Sequence, residues 1–311
     1  MYDILIISFK TSLIYTVKML SIVLPTLFVM DYLINSAIME KILRKILPFI
    51  KHWNINPISL SSIFACFFSP TVGYSILAEG LRSNKVDEEE VIATSLANSF
   101  PSILSHTITF FLPVVIPILG LTGILFLLTR LGVAFVKTVL GLLYLNKLSK
   151  NRKEEMLEIK NHKKKDIKAS LYSTLKFSKK LAPVMFITMF FVVLLSNLGV
   201  FQHFNSLIMP ITEKFHLNPN VGLLALTEVI NVYGAVVMAG EFLRENVLNP
   251  KEVLIGLIIG NVITFSSRYV KHSLPLHVSL FGPKLGTKIV IINGVITLLL
   301  DIFVIGFLIL I

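Results

Sequence analysis

The chain has 311 residues, of which 54% are hydrophobic, and its mean hydropathy is +0.80. A soluble core needs much less apolar residue, so this composition excludes a soluble globular protein and predicts several membrane spans. The single cysteine excludes an internal disulfide framework, and the net charge of +11, much of which lies in one connector, indicates membrane topology rather than a nucleic-acid partner.

The predicted elements begin with one span and one surface segment. Residues 9–35 form a mostly apolar run that is long enough to cross a membrane. Residues 37–51 intersperse lysine and arginine with isoleucine and leucine, which is typical of a helix that lies in the membrane interface.

The stretch 56–82 is apolar, but Ser69-Pro70-Thr71 interrupts it in the middle. Asn56-Pro57 and Ser69-Pro70 each place an N-cap residue before a first-turn proline, so the stretch predicts two helices in succession. Helices of about a dozen residues cannot cross a hydrocarbon core of ~30 Å, which needs ~20 residues. We therefore predict a re-entrant hairpin that dips to mid-membrane and returns.

The first half of the chain closes with two spans and a basic connector. A second span is predicted for residues 91–111, and Pro113 and Pro117 are expected to break the chain into an apolar connector. A third span runs to about residue 144. The hydrophilic, strongly basic stretch 146–176 is predicted to be a cytoplasmic linker.

The same pattern returns later in the chain. Asn56-Pro57 matches Asn218-Pro219 (218 − 56 = 162), and at the same offset Ser69 meets Asn231, which is also an N-cap residue. Further ungapped matches at this offset are Glu79 with Glu241, Arg82 with Arg244, and Asn84 with Asn246. Matches at polar residues and prolines are rare by chance, so we predict an internal duplication. The second copy has spans at about 181–200, 253–267 and 289–311, an interfacial segment at 201–216 and a hairpin at 218–244.

Topology follows from counting the crossings. Each copy has three crossings and one hairpin that returns to its own side, and because three is odd the second copy must be inverted. The positive-inside rule places the linker in the cytoplasm and both termini outside. The predicted fold is all-α and polytopic, with two inverted repeats that each hold three transmembrane helices, an interfacial helix and a re-entrant hairpin. The domains are 1–145, the linker 146–176, and 177–311.

The hairpin tips are the predicted binding site. Irregular backbone at membrane depth is tolerated only beside protein or a water-filled cavity, and interrupted helices in duplicated halves are typical of transporter sites. A carboxylate at mid-membrane is costly, so Glu228 is a candidate ligand for a cation, a proton or a substrate amine. The predicted substrate- and ion-binding residues are Ser69, Pro70, Thr71, Tyr74, Asn98, Ser99, Ser102, Glu228, Asn231, Tyr233, Asn261 and Thr264.

Several of these residues have an ordinary structural alternative. Serine and threonine in membrane helices bond back to their own backbone, and Asn98 and Asn261 can join neighbouring helices. Lys137 and Asp301, which lie inside the closing spans, either neutralise each other or lie on an ion path. The sequence has no metal-ligand, nucleophile or phosphate-loop spacing, so we expect neither a metal site nor an enzyme.

Four segments resemble the Gate, or nucleoside recognition, family: FFSPTVGYSILAEGL, INVYGAVVMAGEFL, Asn98-Ser-Phe-Pro and Gly260-Asn-Val-Ile. That family includes concentrative nucleoside transporters, the membrane part of the ferrous iron transporter B, and the spore maturation proteins A and B. The resemblance covers both copies and implies the architecture above, with a substrate between the hairpin tips. The chain departs from the nucleoside transporters at Ser69-Pro70-Thr71, where they carry a Gln-Thr-Glu type tip, and neither tip carries the cysteine of the iron transporters. The resemblance therefore implies architecture and transport more than it implies nucleosides or iron.

The sequence thus predicts a multi-pass protein of the cell membrane that is similar to secondary transporters. It is expected to bind a small solute between the two tips near the midplane and to couple this to Na⁺ or H⁺. Its expected partners are the lipid bilayer and the solute, and we expect neither a cofactor nor a nucleic-acid partner. The sequence leaves open whether the protein forms a homo-oligomer. The alternatives are a non-transporting membrane assembly or scaffold protein, and a lipid-phosphate flippase in which Arg130 and Lys137 supply the basic site.

Overall fold

The computed structural model describes residues 2–34, 55–148, 167–198, 215–268 and 273–310, and all regular secondary structure in these ranges is helical. The predicted all-α class is confirmed for these residues. In chain order the helices are α1 (Tyr2–Ile34), α2 (Pro57–Cys66), α3 (Pro70–Arg82), α4 (Glu88–Ala97), α5 (Ser99–His106), a π-helix (Thr107–Val115), α6 (Ile116–Leu119), α7 (Leu121–Leu148), α8 (Ile167–Asn197), α9 (Asn220–Ile230), α10 (Val232–Arg244), α11 (Pro250–Arg268) and α12 (Leu274–Leu310).

Helices α2 and α3 form an antiparallel pair. The helix is interrupted before α3, where Ser69 is extended (φ −155°, ψ 112°) and makes no side-chain capping bond. Near the tip Ser62 Oγ donates a hydrogen bond to Gly73 O at 2.8 Å, and at the mouth Asn56 Nδ2 donates to Lys85 O at 2.8 Å. These nested contacts show that the chain folds back on itself at the position of the interruption.

Helices α9 and α10 repeat this local geometry 162 residues later (231 − 69 = 162). Asn231 has φ −157° and ψ 116°, nearly the values at Ser69, and its Oδ1 accepts hydrogen bonds from two N–H groups in the first turn of α10, at 2.9 and 3.2 Å. At the mouth Asn218 Nδ2 donates to Val247 O at 3.0 Å, as Asn56 does in the first pair. The correspondence between the two copies therefore extends from the sequence to the backbone conformation.

The segment after the first pair is one continuous helical rod of 32 residues, Glu88–Leu119. The predicted break at Pro113 and Pro117 is wrong. Pro113 lies within the π-helix, whose wider turn gives the proline ring more room, and Pro117 lies in the first turn of α6. The chain turns instead at Gly120, whose φ of 58° suits a residue without a side chain.

Other bounds also differ from the prediction. α8 begins at Ile167, within the predicted linker, and α12 begins at Leu274, well before residue 289, with a kink at Gly282 (φ 78°). The interfacial segment 37–51, most of the segment 201–216 and most of the linker lie outside the described residues. The domain boundaries stay a prediction.

Three described helical segments are long and apolar enough to cross a membrane: Glu88–Leu119, Leu121–Leu148 and Leu274–Leu310. Large apolar side chains are exposed on two of them, and Phe135 and Phe303 are 56% and 72% exposed. Water-soluble proteins rarely expose so much apolar surface, so these faces indicate contact with lipid. The structure supports a membrane protein, while the six crossings and the inversion of the two copies stay predictions.

Packing joins the two copies. α1 lies along α8, which occupies the corresponding place in the second copy. One apolar core surrounds α9, α10, α11 and the π-helix and includes Phe110, Leu224 and Ile255. A second core joins α3, α4 and α12 and includes Leu77 and Ile289. Residues of both cores, Phe110 and Ile289 among them, line one cavity.

Candidate binding cavity

A cavity of about 630 Å³ lies where both pairs of short helices meet the long helices. Tyr74 of α3 belongs to the first copy, whereas Glu228 of α9 and Tyr233 of α10 belong to the second, and all three line the cavity. Helices α5, α7, α11 and α12 and the π-helix supply much of the remaining wall. The cavity is therefore built by the two copies together.

Arg130 of α7 and Asp301 of α12 form a buried ion pair in the cavity wall. Arg130 Nη1 lies 3.1 Å from Asp301 Oδ2, and Nη2 lies 2.5 Å from Oδ1, so the guanidinium binds the carboxylate at two points. Arg130 is 9% exposed and Asp301 is 2% exposed. Arg130 Nε is also buried and has no hydrogen-bond partner among the described residues.

Lys137 lies two turns further along α7, is 6% exposed, and binds a neutral partner. Its Nζ donates to Thr297 Oγ1 at 3.0 Å, and that hydroxyl donates to Asn293 O at 2.8 Å. Within the described part of the chain no carboxylate lies within ion-pair distance of Lys137, although Asp301 and Arg130 act on it at longer range. Asp301 binds Arg130 directly, so Lys137 and Asp301 do not form an ion pair with each other.

Glu228 occupies the last turn of α9, is 2% exposed, and packs against Gly260 of α11. A Cβ atom at position 260 would lie 2.6 Å from Glu228 Oε2 and 3.0 Å from Ala225 O. Only glycine permits so close an approach of the two helices at this point. At the repeat offset Glu228 corresponds to Cys66 (228 − 66 = 162), which is fully buried, so the two copies differ in chemistry here.

Aromatic contacts surround the two tyrosines. The ring centroids of Tyr74 and His277 are 4.5 Å apart in an edge-on arrangement, and those of Tyr233 and Phe110 are 5.2 Å apart. Such edge-to-face pairs are favourable and hold the rings in place. The cavity thus has two aromatic surfaces in addition to its charged wall.

The structure brings six of the predicted binding residues into the cavity wall. They are Tyr74, Ser99, Ser102, Glu228, Tyr233 and Asn261. The residues at the two interruptions, Ser69-Pro70-Thr71 and Asn231, do not line it. They shape the backbone instead, since Asn231 caps α10 and Pro70 begins α3.

Asn98 and Thr264 were also predicted as binding residues. Asn98 is fully buried, and its Nδ2 donates to Ser62 Oγ at 3.0 Å, so it joins α2 to the end of α4. The side chain of Thr264 lies outside the described residues. In the part of the chain that is described, no group of three His, Cys, Asp or Glu side chains is placed to hold a metal ion.

Sequence reasoning did not place Thr297, Asn293 or the Arg130–Asp301 pair in the binding site. The sequence did contain a pattern that indicates part of this cavity wall. Four of its residues recur at every fourth position along an apolar span: Ile289, Asn293, Thr297 and Asp301. Residues at this spacing share one face of a helix, and a polar face in a membrane helix turns away from lipid.

Comparison with known proteins gives the same family for this architecture. The model of the Gate family, described as nucleoside recognition, matches residues 16–122. The chain is 59% identical to the uncharacterized protein MJ0871 of Methanocaldococcus jannaschii over 305 residues, which cover 98% of this chain and 96% of that protein. It is 28% identical to MJ0880 of the same organism, covering 88% of this chain and 90% of that one. No solved structure matches the chain.

The family is associated with transport-related membrane proteins rather than with catalysis. The interrupted helix at Ser69, the apolar spans and the matched region agree with one another. The chain belongs to the Gate, or nucleoside recognition, family of membrane proteins.

Proposed function

We propose that the protein binds a small solute in the cavity and carries it across the cell membrane as a multi-pass secondary transporter. In this proposal the pairs α2–α3 and α9–α10 are re-entrant hairpins of two inverted repeats. Helices α1, α8 and α11 complete six crossings together with the three apolar segments, and the basic linker lies in the cytoplasm.

The observation that carries the proposal is a cavity with charged and aromatic walls that both copies build. Its volume of about 630 Å³ falls within the ~300–1,000 Å³ that is common for small-molecule sites. Ionisable residues inside membrane helices are costly and usually mark a substrate or ion pathway. A scaffold protein has no need of five buried ionisable residues around one cavity, here Arg130, Lys137, Glu228, His277 and Asp301.

The helix interruptions add electrostatic features to the cavity. Tyr233 lies in the first turn of α10 and lines the cavity, so the partly positive amino end of this helix lies near the site. The carboxyl end of α9, which is partly negative, carries Glu228 beside it. The site therefore offers groups for a negative and for a positive part of a solute.

Glu228 is the proposed coupling residue. Burial disfavours the charged form of a carboxyl group, and so does the negative end of α9. Taking up a proton or a Na⁺ ion would relieve both costs. The proposed role is that this uptake and solute binding favour each other.

A binding screen followed by transport tests the proposal. Purified protein is screened by thermal shift against nucleosides, nucleobases, polyprenyl phosphates and divalent cations, and the best ligand is then used in uptake into liposomes. Tyr233→Ala, which removes an aromatic wall, should abolish uptake. Tyr172→Ala is the control, because Tyr172 is 70% exposed on α8. The absence of any binding, or full uptake by Tyr233→Ala protein, would contradict the proposal.

A further inference from the structure

We propose that the wall formed by α7 and α12 is a subsite for an anionic group of the solute, a carboxylate or a phosphate, which Lys137 and Arg130 bind. The inference rests on the proposed function and deepens it by naming the class of substrate. The same chemistry would recognise a free organic anion or the phosphate of a lipid headgroup.

The charges on this wall do not balance. Arg130 is matched by Asp301 through two hydrogen bonds, at 3.1 and 2.5 Å. Lys137 is bound to the hydroxyl of Thr297, which has no charge. Among the described residues the wall thus carries two cations and one anion, and all three residues are at most 9% exposed. A buried excess charge is costly, and a bound anion would remove that cost.

Hydrogen-bond donors are also left over on this wall. An ammonium group has three donors, and Lys137 uses one of them on Thr297. Arg130 Nε has no hydrogen-bond partner among the described residues and is buried. Hydrogen bonds from Lys and Arg to carboxylate or phosphate are about twice as strong as neutral ones. Both residues line the cavity, so a solute that enters it reaches this wall.

Asp301 competes with an arriving anion for the donors of Arg130. Its carboxylate occupies two of the donors of Arg130, so an arriving anion can bind Lys137 directly but must share Arg130 with Asp301. Removing the charge of Asp301 should therefore strengthen anion binding, whereas removing the charge of Lys137 should weaken it. The two changes have opposite signs, which a general loss of structure would not produce. Glu228 belongs to α9 and not to this wall.

The test uses pairs of probes that differ in charge. The pairs are benzoate with benzamide, uridine monophosphate with uridine, and dioctanoyl phosphatidic acid with dioctanoylglycerol. Dissociation constants are measured on the purified full-length protein by thermal shift and by calorimetry. At least one anion should bind more tightly than its neutral counterpart. A soluble pair that shows this difference indicates a free solute, and the lipid pair indicates a headgroup.

Variants test whether the preference for the anionic probe arises from the wall formed by α7 and α12. Lys137→Met should weaken anion binding by at least about tenfold, as expected for the loss of a charged hydrogen bond, and leave the neutral probes unchanged. Lys137→Arg should retain the preference for anions. Lys147→Met is the matched control, since Lys147 is exposed on the same helix and does not line the cavity. Asp301→Asn protein should gain more thermal stability from added acetate than the parent gains.

The outcomes separate the two proposals. If neutral probes bind and their anionic counterparts bind no better, the subsite is overturned and the solute-binding cavity stands. An unchanged anion preference in Lys137→Met protein also overturns the subsite. If no member of any pair binds, the solute-binding cavity fails and the subsite fails with it.

Discussion

Asn84 and Asn246 both adopt the left-handed backbone conformation, with φ of 54° and 55°, and they lie one repeat offset apart (246 − 84 = 162). Each follows the end of the second helix of its pair, α3 or α10, and is exposed. Their N–H groups bond back to Leu81 O at 3.1 Å and to Leu243 O at 3.3 Å. The chain therefore makes the same turn after α3 as it makes after α10.

Substitutions at these two asparagines test the role of the left-handed turn. Asn84→Gly and Asn246→Gly should keep or raise the apparent unfolding temperature, because glycine adopts this conformation without strain. Asn84→Val and Asn246→Val should lower stability by about 1–2 kcal/mol each. Differential scanning fluorimetry of the purified protein measures this. Equal stability of the glycine and valine variants would show that the conformation is not required.

Two glycines of α7 should respond oppositely to alanine. A Cβ atom at Gly141 would clash with the backbone N of Ala97 and would lie 2.7 Å from Ala93 O, whereas one at Gly132 meets nothing within 4 Å. Gly141→Ala should therefore push α7 away from α4 and lower the unfolding temperature. Gly132→Ala should be neutral or stabilise the helix by about 0.5–1 kcal/mol. If both variants unfold together, the close contact between α4 and α7 is not present in the protein.

The Arg130–Asp301 pair can be tested with a double-mutant cycle. Arg130→Met or Asp301→Asn alone leaves one buried charge uncompensated and should cost about 3–5 kcal/mol of stability. The double variant leaves neither charge behind and should be much closer to the parent. Thermal unfolding of the four proteins gives the coupling. Additive losses in the double variant would mean that the two side chains do not interact.

Glu228→Gln should separate coupling from folding. The glutamine keeps the volume of the side chain but removes its charge and titration, so the protein should fold normally. Under the proposed coupling, solute binding depends on pH or on Na⁺ in the parent, and this dependence should be lost in the variant. Glu241→Gln is the control, because Glu241 pairs with Arg244 at the mouth of the second pair and does not line the cavity. If binding to Glu228→Gln protein responds to pH and Na⁺ as binding to the parent does, the coupling residue lies elsewhere.

Orientation in the membrane can be tested with single cysteines in a Cys66→Ala background. Leu121 begins α7 directly after the turn at Gly120, at the end opposite to the linker, so Leu121→Cys should react with an impermeant maleimide in intact cells. Asn161→Cys, in the linker, should react only after the cells are opened. Labelling in the reverse order would overturn the predicted topology.

The features that could be predicted from the sequence are those that neighbouring residues determine. The interruption at Ser69-Pro70 was predictable because proline and a capping residue act on neighbouring backbone groups. The pairing of Arg130 with Asp301 was not, because the partners are separated by 171 residues and several residues could have matched either charge. The continuation of the helix through Pro113 also escaped prediction, since a π-turn has no clear sequence signature.

Glu228 stands in the second copy where the first copy has Cys66. This difference bears on the ion-to-solute ratio of the proposed transport. If the copies were chemically equal, each could take up an ion at the end of its first short helix. Under the proposed coupling, a carboxyl group in the second copy and a thiol in the first should let a single ion accompany each solute molecule. The reversal potential of reconstituted transport, measured against an imposed pH or Na⁺ gradient, should then correspond to a stoichiometry of one.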